Sequence, residues 1–421
     1  MGGAASWALR CVVAAAACSR GGSAHQPLYA AGGYSLGTLD LGSPGKHPGV
    51  TKVPNSSISP GHGHFCGPVI AVDAAGVVYA FAGTACYQDG SVCPPACPDA
   101  GRAVAANSST CCLLHPGSFS LAAIAAYDPA QKSHTVYGDI PTAVFAEEKH
   151  AATGPEFGAP FLNPGTGVFY AVTESNVANY EVTLAMVLEF NPRSGKTTAL
   201  ARFDEDHDIS AAVFEPKSQL IVLAIDVDTY GCEAPGHLCH RLATYDTRTS
   251  TLSAIHNDSS GYEIMVSSRF AGFDPVEGKN LVIKDVGGVP KSKTNYEFGH
   301  LSCSEMGCAF TSAGELDQLW CPDSGYGALD KISSVAWDPV ERLLSVSSSG
   351  CYNVSHEPFD CYSNQGTNKF MQYNIPTDGP SRVVKATYAY MQATNYNDGL
   401  DWTPGYLATQ PASRELLQRS K

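Results

Sequence analysis

The sequence predicts an all-β fold, a six-bladed β-propeller, and two features carry this prediction. A short apolar strand, a turn and a second apolar strand recur six times, and the first and last copies are incomplete in complementary ways. Glycine (41 residues) and proline (27 residues) are frequent, as expected of a chain with many turns. Charged residues make up only 16% of the chain, below the roughly 25% of typical soluble domains.

The repeat is recognised by its turn. One turn position is held by alanine in the first copy and by proline in the others: Ala74, Pro164, Pro216, Pro275, Pro339 and Pro404. Proline fixes φ and favours the first central position of a β-turn, and an Asp or Asn before it can bond back to the turn. The flanking segments are rich in Val, Ile, Leu and Phe, which is typical of buried strands.

A second strand pair follows in most copies, in which an apolar strand ending in an aromatic residue precedes a polar turn. The aromatic residues are Tyr127, Phe190, Tyr245 and Tyr373. Two strand pairs within about 50 to 65 residues correspond to one four-stranded blade.

The two ends of the chain complement each other. The sixth copy has its second strand near Tyr406, close to the C-terminus, and residues 28–41 have the pattern of outer strands without an inner one. We therefore predict that the N-terminal strands join the C-terminal blade and close the ring, which removes open sheet edges. Five or seven blades are alternatives. Separate β-sandwich domains are another, but they do not explain the incomplete terminal copies.

Segments such as VAWDPVERLLSV, from Val335, resemble the blades of six-bladed propellers in general. The gluconolactonase, paraoxonase, NHL-repeat and TolB-like groups are examples. The resemblance covers nearly the whole chain after residue 24 and rests on strand–turn patterning. It implies the fold, and it transfers no catalytic residue because no family-specific motif accompanies it.

Residues 1–24 have the features of a signal peptide. An arginine precedes the apolar run Cys11 to Cys18, and small residues precede a candidate cleavage point after Ala24. The run is too short to span a bilayer, which takes about 20 apolar residues, and no later segment predicts a membrane anchor. We therefore expect residues 25–421 to form a single propeller domain that is secreted as a monomer.

Charge limits the possible partners, and the cysteine content agrees with an extracellular location. The net charge is −14, and −16 without residues 1–24, so nucleic acid is excluded as a partner. Thirteen of the 15 cysteines remain after cleavage, and they cluster in Gly- and Pro-rich segments as expected of disulfides in an oxidising compartment. Because 13 is odd, one thiol is free or bonded to a partner. Four sequons predict surface glycosylation: Asn55, Asn107, Asn257 and Asn353.

Long connections predict a binding face. In each blade the predicted 1–2 and 3–4 turns are short, whereas the 2–3 connections, such as 82–118, 226–240 and 348–369, are long and most carry cysteines. Local disulfides are predicted for three pairs: Cys232–Cys239, Cys303–Cys308 and Cys351–Cys361. Because long loops are retained where they serve a function, the sequence predicts a binding module for a glycan, protein or small-molecule ligand.

The alternative is a metal-dependent hydrolase of lactonase or esterase type, with its site in the central channel. Four acids lie at predicted starts of inner strands: Glu156, Asp208, Asp330 and Asp398. Converging carboxylates repel one another and favour a bound cation, and hard oxygen ligands indicate Ca²⁺. Strand capping and solvent exposure would account for the same acids.

Histidines on the predicted long-loop side are candidates for proton transfer. They are His62, His64, His115, His150, His207, His237, His240, His300 and His356. His64 and His207 are the preferred candidates for a general base beside a metal, although histidine is common in polar loops without any catalytic role.

Overall fold

The computed structural model describes the strands and the residues beside them. The described residues are 27–32, 35–40, 49–52, 69–83, 122–139, 156–158, 160–177, 182–203, 207–227, 240–255, 259–285, 296–316, 331–351, 367–376, 383–389 and 407–408.

The strands in this part of the chain form six antiparallel sheets. The terminal sheet combines β1 (Leu28–Gly32), β2 (Ser35–Asp40) and β3 (Gly49–Lys52) with β25 (Leu407–Ala408). Blade 1 contains β4 (Val69–Val72), β5 (Val78–Gly83), β6 (Ala122–Asp128) and β7 (Ser133–Asp139). Blade 2 contains β8 (Glu156–Phe157), β9 (Phe161–Asn163), β10 (Val168–Val177), β11 (Val182–Asn191) and β12 (Lys196–Phe203).

The remaining blades have four strands each in sequential order. Blade 3 contains β13 (His207–Glu215), β14 (Leu220–Val227), β15 (His240–Asp246) and β16 (Thr251–Ile255). Blade 4 contains β17 (Ser268–Asp274), β18 (Lys279–Asp285), β19 (Tyr296–Ser304) and β20 (Gly307–Glu315). Blade 5 contains β21 (Lys331–Asp338), β22 (Leu343–Cys351), β23 (Thr367–Asn374) and β24 (Val383–Ala389). The chain is an all-β β-propeller with five blades beside the terminal sheet in the described residues, which confirms the propeller architecture that the repeat predicts.

The apolar core lies between consecutive blades. Strand β14 shows why: its residues from Leu220 to Ile225 are all at most 3% exposed, because both faces of the strand are covered. One face packs with Tyr170 of blade 2, and the other with Val282 of blade 4. A strand covered on both faces requires a continuous apolar run rather than strict alternation.

The terminal sheet joins the two ends of the described chain. Strand β25 pairs with β1 through Tyr29 opposite Ala408 and Ala30 opposite Leu407, and β25 also contacts β21 and β4. Tyr29 is 2% exposed and packs against the apolar side chains of blade 1, Ile70 among them. The predicted neighbours, residues 28–41 and the segment after Trp402, are therefore paired.

A short helix, α1 (Ser259–Val266), connects blade 3 to blade 4. Its Met265 is completely buried. The hydroxyl groups of Ser267 and Ser268 donate hydrogen bonds to the carbonyl oxygens of Glu263 and Ile264, which satisfies acceptors that a helix leaves open at its C-terminal end. No helix in the described ranges is long and apolar enough to cross a membrane.

The turns that follow the first strands share one backbone geometry. In blades 2 to 5 the third residue after the proline has positive φ: Gly167 (75°), Gln219 (58°), Gly278 (64°) and Arg342 (53°). The residue before the proline caps the turn where it is Asp or Asn, as when Asp274 Oδ1 accepts a hydrogen bond from Val276 N at 3.0 Å. The turn chemistry expected from the repeat is therefore present.

Side chains at these turns join blades 2, 3, 4 and 5 in succession. In three pairs, one member precedes the turn proline of one blade and the other lies at or just after the turn of the following blade. The bonds are Asn163 Nδ2 to Gln219 Oε1 (2.9 Å), Asn280 Nδ2 to Glu215 Oε1 (3.1 Å), and Arg342 Nη1 and Nη2 to Asp274 Oδ1 and Oδ2 (3.1 Å each). We call these the inter-blade bonds.

The Asp274–Arg342 bond is the charged member of this series. The Asp274 side chain is fully buried, and the Arg342 side chain is 16% exposed. Burial acts to raise the Asp274 pKa, but hydrogen bonds from His300 and Arg342 outweigh it and hold the pKa at about 2. Arg342 Nε also donates to the Ile375 carbonyl oxygen (2.7 Å), and its guanidinium lies over the Trp337 ring. The arginine thereby fixes blade 5 against blade 4.

We expect Arg342→Ala to lower the free energy of unfolding by about 3 kcal/mol, because it leaves the buried Asp274 carboxylate without its cation. Urea denaturation at pH 7 measures the change. The matched control is Arg248→Ala, which removes an arginine from the exposed Asp246–Arg248 pair of blade 3 and should change stability little. Equal losses in the two variants would contradict the assignment.

The same pair predicts a pH dependence. The pKa of Asp274 is about 2 in the folded protein against an ordinary 3.8, so its contribution to stability is present above about pH 4 and is lost as pH falls towards 2. Arg342→Ala should therefore be destabilised relative to the wild type at pH 5 to 7 and less so at pH 2.

Candidate functional site

The two ends of the blades differ. The turns between strands 1 and 2 and between strands 3 and 4, such as 216–219 and 247–250 in blade 3, define the turn face. The connections between strands 2 and 3 and between blades define the loop face. Its long strand 2–3 connections, 84–121, 228–239, 286–295 and 352–366, lie outside the described residues.

A polar cluster lies at the loop-face end of blade 3. It consists of Ser210, Asp226, His240 and Tyr262, which we call the Asp226 cluster. Asp226 and His240 are antiparallel neighbours at the two ends of the 228–239 connection. Tyr262 comes from α1 in the connection between blades 3 and 4. Ser210 lies in β13, so four elements, β13, β14, β15 and α1, bring their polar side chains to one place.

Asp226 is the centre of the hydrogen bonds in this cluster. Its Oδ1 lies 2.8 Å from His240 Nδ1 and also accepts a hydrogen bond from the Tyr262 hydroxyl. The Tyr262 hydroxyl lies 3.2 Å from Ser210 Oγ, which also donates to the Ala224 carbonyl oxygen at 3.2 Å. The same carboxylate oxygen therefore contacts both the imidazole and the phenol.

Burial differs across the cluster. Tyr262 is 7% exposed, whereas the side chains of His240 and Asp226 are 58% and 38% exposed. Burial, followed by the hydrogen bond to Asp226, raises the Tyr262 pKa to about 12. The phenol is therefore neutral at physiological pH and acts as a hydrogen-bond donor to Asp226. The imidazole ring stacks on the Tyr262 ring with centroids 4.7 Å apart and an interplanar angle of 20°.

The arrangement presents one histidine nitrogen to solvent. Because His240 Nδ1 faces the Asp226 carboxylate, it carries a proton, and Nε2 is left as the acceptor in the neutral ring. An imidazole held in this way can accept a proton from a bound molecule or from water.

The predicted metal ligands are only partly described. Glu156 is the first residue of β8, and Asp208 is the second residue of β13, where it lies opposite Asp226 in the strand register. The side chains of both, and the whole of Asp330 and Asp398, lie outside the described residues. Among the side chains that the structure describes, no three His, Cys, Asp or Glu form a group that could bind a metal. The calcium site stays a prediction.

The side chains of the two preferred histidines are also outside the described residues. His207 is the first residue of β13 but its side chain is outside the described set, and His64 lies outside it altogether. Their role as general bases stays a prediction. His300, which the sequence assigns to the loop side, instead bonds through Nε2 at 3.2 Å to buried Asp274 of the same blade, the carboxylate that also accepts the inter-blade bonds from Arg342.

One disulfide is present in the described residues. Cys303 and Cys308 are direct partners across β19 and β20, with an S–S distance of 2.06 Å. Because these strands meet in a 3–4 turn, this disulfide lies towards the turn face rather than in a long loop. The Cys232–Cys239 and Cys351–Cys361 pairings and the four sequons at Asn55, Asn107, Asn257 and Asn353 lie outside the described residues.

Sequence reasoning overlooked Asp226 and Tyr262. A carboxylate that ends an otherwise apolar strand, as in LIVLAID from Leu220, is a signal that could have identified Asp226. Tyr262 gives no such signal, because its partner Asp226 is 36 residues away in sequence. His240 is one of the nine loop-side histidines, but nothing local distinguishes it from the others.

The fold and the polar cluster define this chain as a β-propeller protein with a candidate site on its loop face. No family model matches the chain, and no curated protein matches it by sequence. Among solved structures it is similar to a putative 6-phosphogluconolactonase from Bacteroides uniformis, with 10% identity, coverage of 86% of this chain and 82% of that chain, and a TM-score of 0.41.

Two further solved structures are similar to the chain. One is a chain of a mitotic checkpoint complex (8% identity, 82% of this chain and 84% of that chain, TM-score 0.35). Another is an oligogalacturonate lyase in complex with manganese (8% identity, 82% and 74%, TM-score 0.36). A shared fold does not imply a shared function, and the propeller assignment rests on the strand pairing.

We expect Tyr262→Phe to lower the free energy of unfolding by about 1.5 to 2 kcal/mol, because the lost hydroxyl donates to a charged acceptor. Ser210→Ala is the matched control: its hydroxyl contacts only neutral groups among its described partners, Ala224 and Tyr262, and should cost at most about 1 kcal/mol. Urea denaturation measures the loss in the free energy of unfolding for each variant. A larger loss in Ser210→Ala than in Tyr262→Phe would show that Tyr262 does not fix the carboxylate.

Proposed function

We propose that this protein is a secreted β-propeller that binds a glycan, a protein or a small-molecule ligand at its loop face. The observation that carries the proposal is the difference between the two ends of the blades. The described turns on the turn face are short and are bonded from blade to blade, whereas the loop face has the long connections and the exposed Asp226 cluster. A rigid frame with varied loops at one end is how many folds build binding sites.

We further propose that the terminal sheet is the sixth blade of a closed ring. Three observations support this: β25 pairs with β1, β25 contacts both β21 and β4, and Tyr29 packs against blade 1. A closed ring fixes the relative positions of all loops on the loop face. It also leaves no open sheet edge between the first and last blades.

The proposed location is extracellular. The signal-like residues 1–24, the four sequons and the cysteine-rich loops support it together. In an oxidising compartment, the proposed Cys232–Cys239 and Cys351–Cys361 disulfides would restrict the loops that border the binding face. Closing a loop of eight residues contributes roughly 2 to 3 kcal/mol in the loop-entropy view.

We expect the full-length chain, expressed in eukaryotic cells, to accumulate in the culture medium without residues 1–24, and the purified protein to bind at least one glycan on a printed array. Replacing residues 88–118 with a short Gly-Ser linker should weaken that binding at least tenfold, because the segment belongs to the proposed binding face. Mass spectrometry and array fluorescence provide the measurements.

The matched control for this experiment is Arg248→Ala, which alters the turn face of blade 3. Glycan binding that survives the loop replacement but is lost in Arg248→Ala would overturn the assignment of faces. Retention of the protein in the cell would overturn secretion, and a blank array would remove glycans from the ligand classes.

A second candidate function is a Ca²⁺-dependent hydrolase of lactonase or esterase type. One observation favours it: Glu156 and Asp208 stand at the beginnings of the first strands of consecutive blades. Carboxylates are the hard oxygen donors that Ca²⁺ prefers. These two residues would hold the cation together with Asp330 and Asp398, and the bound cation would polarise the ester carbonyl.

If this candidate is correct, adding 1 mM Ca²⁺ to EGTA-treated protein should raise the melting temperature, because a ligand that binds only the folded state stabilises it. Asp208→Asn should reduce the shift, and Asp246→Asn on the turn face should not. A melting temperature that does not respond to Ca²⁺, together with no stoichiometric metal in elemental analysis, would exclude the metal-dependent candidate.

A further inference from the structure

We propose that His240 is a general base on the loop face, positioned by Asp226 and Tyr262, and that it hydrolyses activated carboxyl esters. This activity goes beyond ligand binding and requires no metal ion, and it assigns a chemical role to the Asp226 cluster of the proposed binding face. It rests on the position, contacts and exposure of the Asp226 cluster.

The strand register fixes the histidine beside its carboxylate. Asp226 and His240 are directly opposite each other on β14 and β15, so the backbone ladder holds their Cα atoms together. The 2.8 Å contact from Nδ1 to Oδ1 then sets the tautomer, with the proton on Nδ1 and the free electron pair on Nε2. The carboxylate also stabilises the imidazolium that forms when Nε2 takes a second proton.

Tyr262 fixes both members of this pair from a different segment of the chain. Its hydroxyl donates to Asp226 Oδ1, and its ring stacks on the imidazole. Because Tyr262 is itself buried, the imidazole has a rigid surface on one side. Such pre-orientation lowers the entropy that is lost when a substrate meets the base.

The exposure of the cluster separates it from a purely structural network. The His240 side chain is 58% exposed, so a substrate can approach it from solvent. In contrast, the Asp274–Arg342 pair on the opposite side of the propeller is enclosed. Exposed Glu263 and partly exposed Asp226 make the surroundings acidic, which favours neutral esters over anionic ones.

The proposed reaction uses water as the nucleophile. Ser210 Oγ already bonds to the Ala224 carbonyl oxygen and lies beside the Tyr262 hydroxyl, which makes it a poor nucleophile. Nε2 of His240 removes a proton from water as the water oxygen forms a bond to the ester carbonyl carbon. The tetrahedral intermediate then breaks its bond to the alcohol oxygen, and the imidazolium returns the proton to that oxygen. The products are the carboxylic acid and the alcohol.

An activated ester is the substrate class that one base can serve. General-base catalysis contributes roughly 10²- to 10⁴-fold, which is sufficient where the leaving alcohol is a good one. Amides and phosphodiesters need additional stabilisation of charge at the reacting centre.

The test is hydrolysis of p-nitrophenyl acetate by the mature full chain. We expect His240→Gln to lower kcat/KM at least tenfold and to abolish the rise in rate with pH that the wild type shows. We also expect hydrolysis by the wild type to be slower in D₂O, because a proton moves in the rate-limiting step. Equal rates in wild type and His240→Gln would overturn the proposal, and an unchanged rate in D₂O or an accumulating acyl-imidazole would overturn its general-base mechanism.

The positioning role of Asp226 is tested separately. Asp226→Asn and Tyr262→Phe should each lower the rate at least tenfold while melting above the assay temperature, whereas Asp246→Asn on the turn face of the same blade should not. If Asp226→Asn folds and keeps the wild-type rate, Asp226 does not position the base. Glycan binding by His240→Gln separates this inference from the proposed function. A variant that loses hydrolysis but still binds the glycan shows that His240 is needed for hydrolysis and not for binding.

Discussion

The register between consecutive blades depends on the inter-blade bonds at the turn face. Apolar contact between blades contributes most of the buried area, but it has no direction and allows sheets to slide. A hydrogen bond from a turn to the preceding blade fixes one distance and one angle. In blades 3 and 5 the residue with positive φ, Gln219 or Arg342, provides this bond itself. In blade 4 that position is Gly278, which has no side chain to offer, and Asn280 just beyond it bonds to Glu215 instead.

This arrangement gives the turn face and the loop face different properties. The turn face carries the inter-blade bonds, and its strand connections need only a few residues. At the loop face, the ladder of each blade can end in segments of very different length without disturbing the packing between blades. Asp226, His240 and Tyr262 lie where ordered strands meet these connections. A site in that position can have rigid geometry and remain accessible to solvent.

The fold was predictable because its signals are local. The Asp-Pro turns at 274 and 338 and the apolar runs around them identify strand pairs wherever they occur, and the incomplete first and last copies indicate the pairing of β1 with β25. Helix α1 was not predicted because its eight residues are too few to show a helical period, although Ser260 and Glu263 have the spacing of a capping box that could have indicated it. The inter-blade bonds join residues 56 to 68 positions apart, and no pattern within one repeat specifies such partners.

We propose that the blades and the terminal sheet form one cooperative ring. Hydrogen–deuterium exchange of the mature protein, compared between wild type and Ala408→Pro, tests it most directly, because proline cannot donate the backbone hydrogen bond of β25. The account predicts faster exchange in β1 and also in β4 and β21, which β25 contacts. Faster exchange confined to residues near 408 would contradict it and leave the ends of the chain independent of the blades.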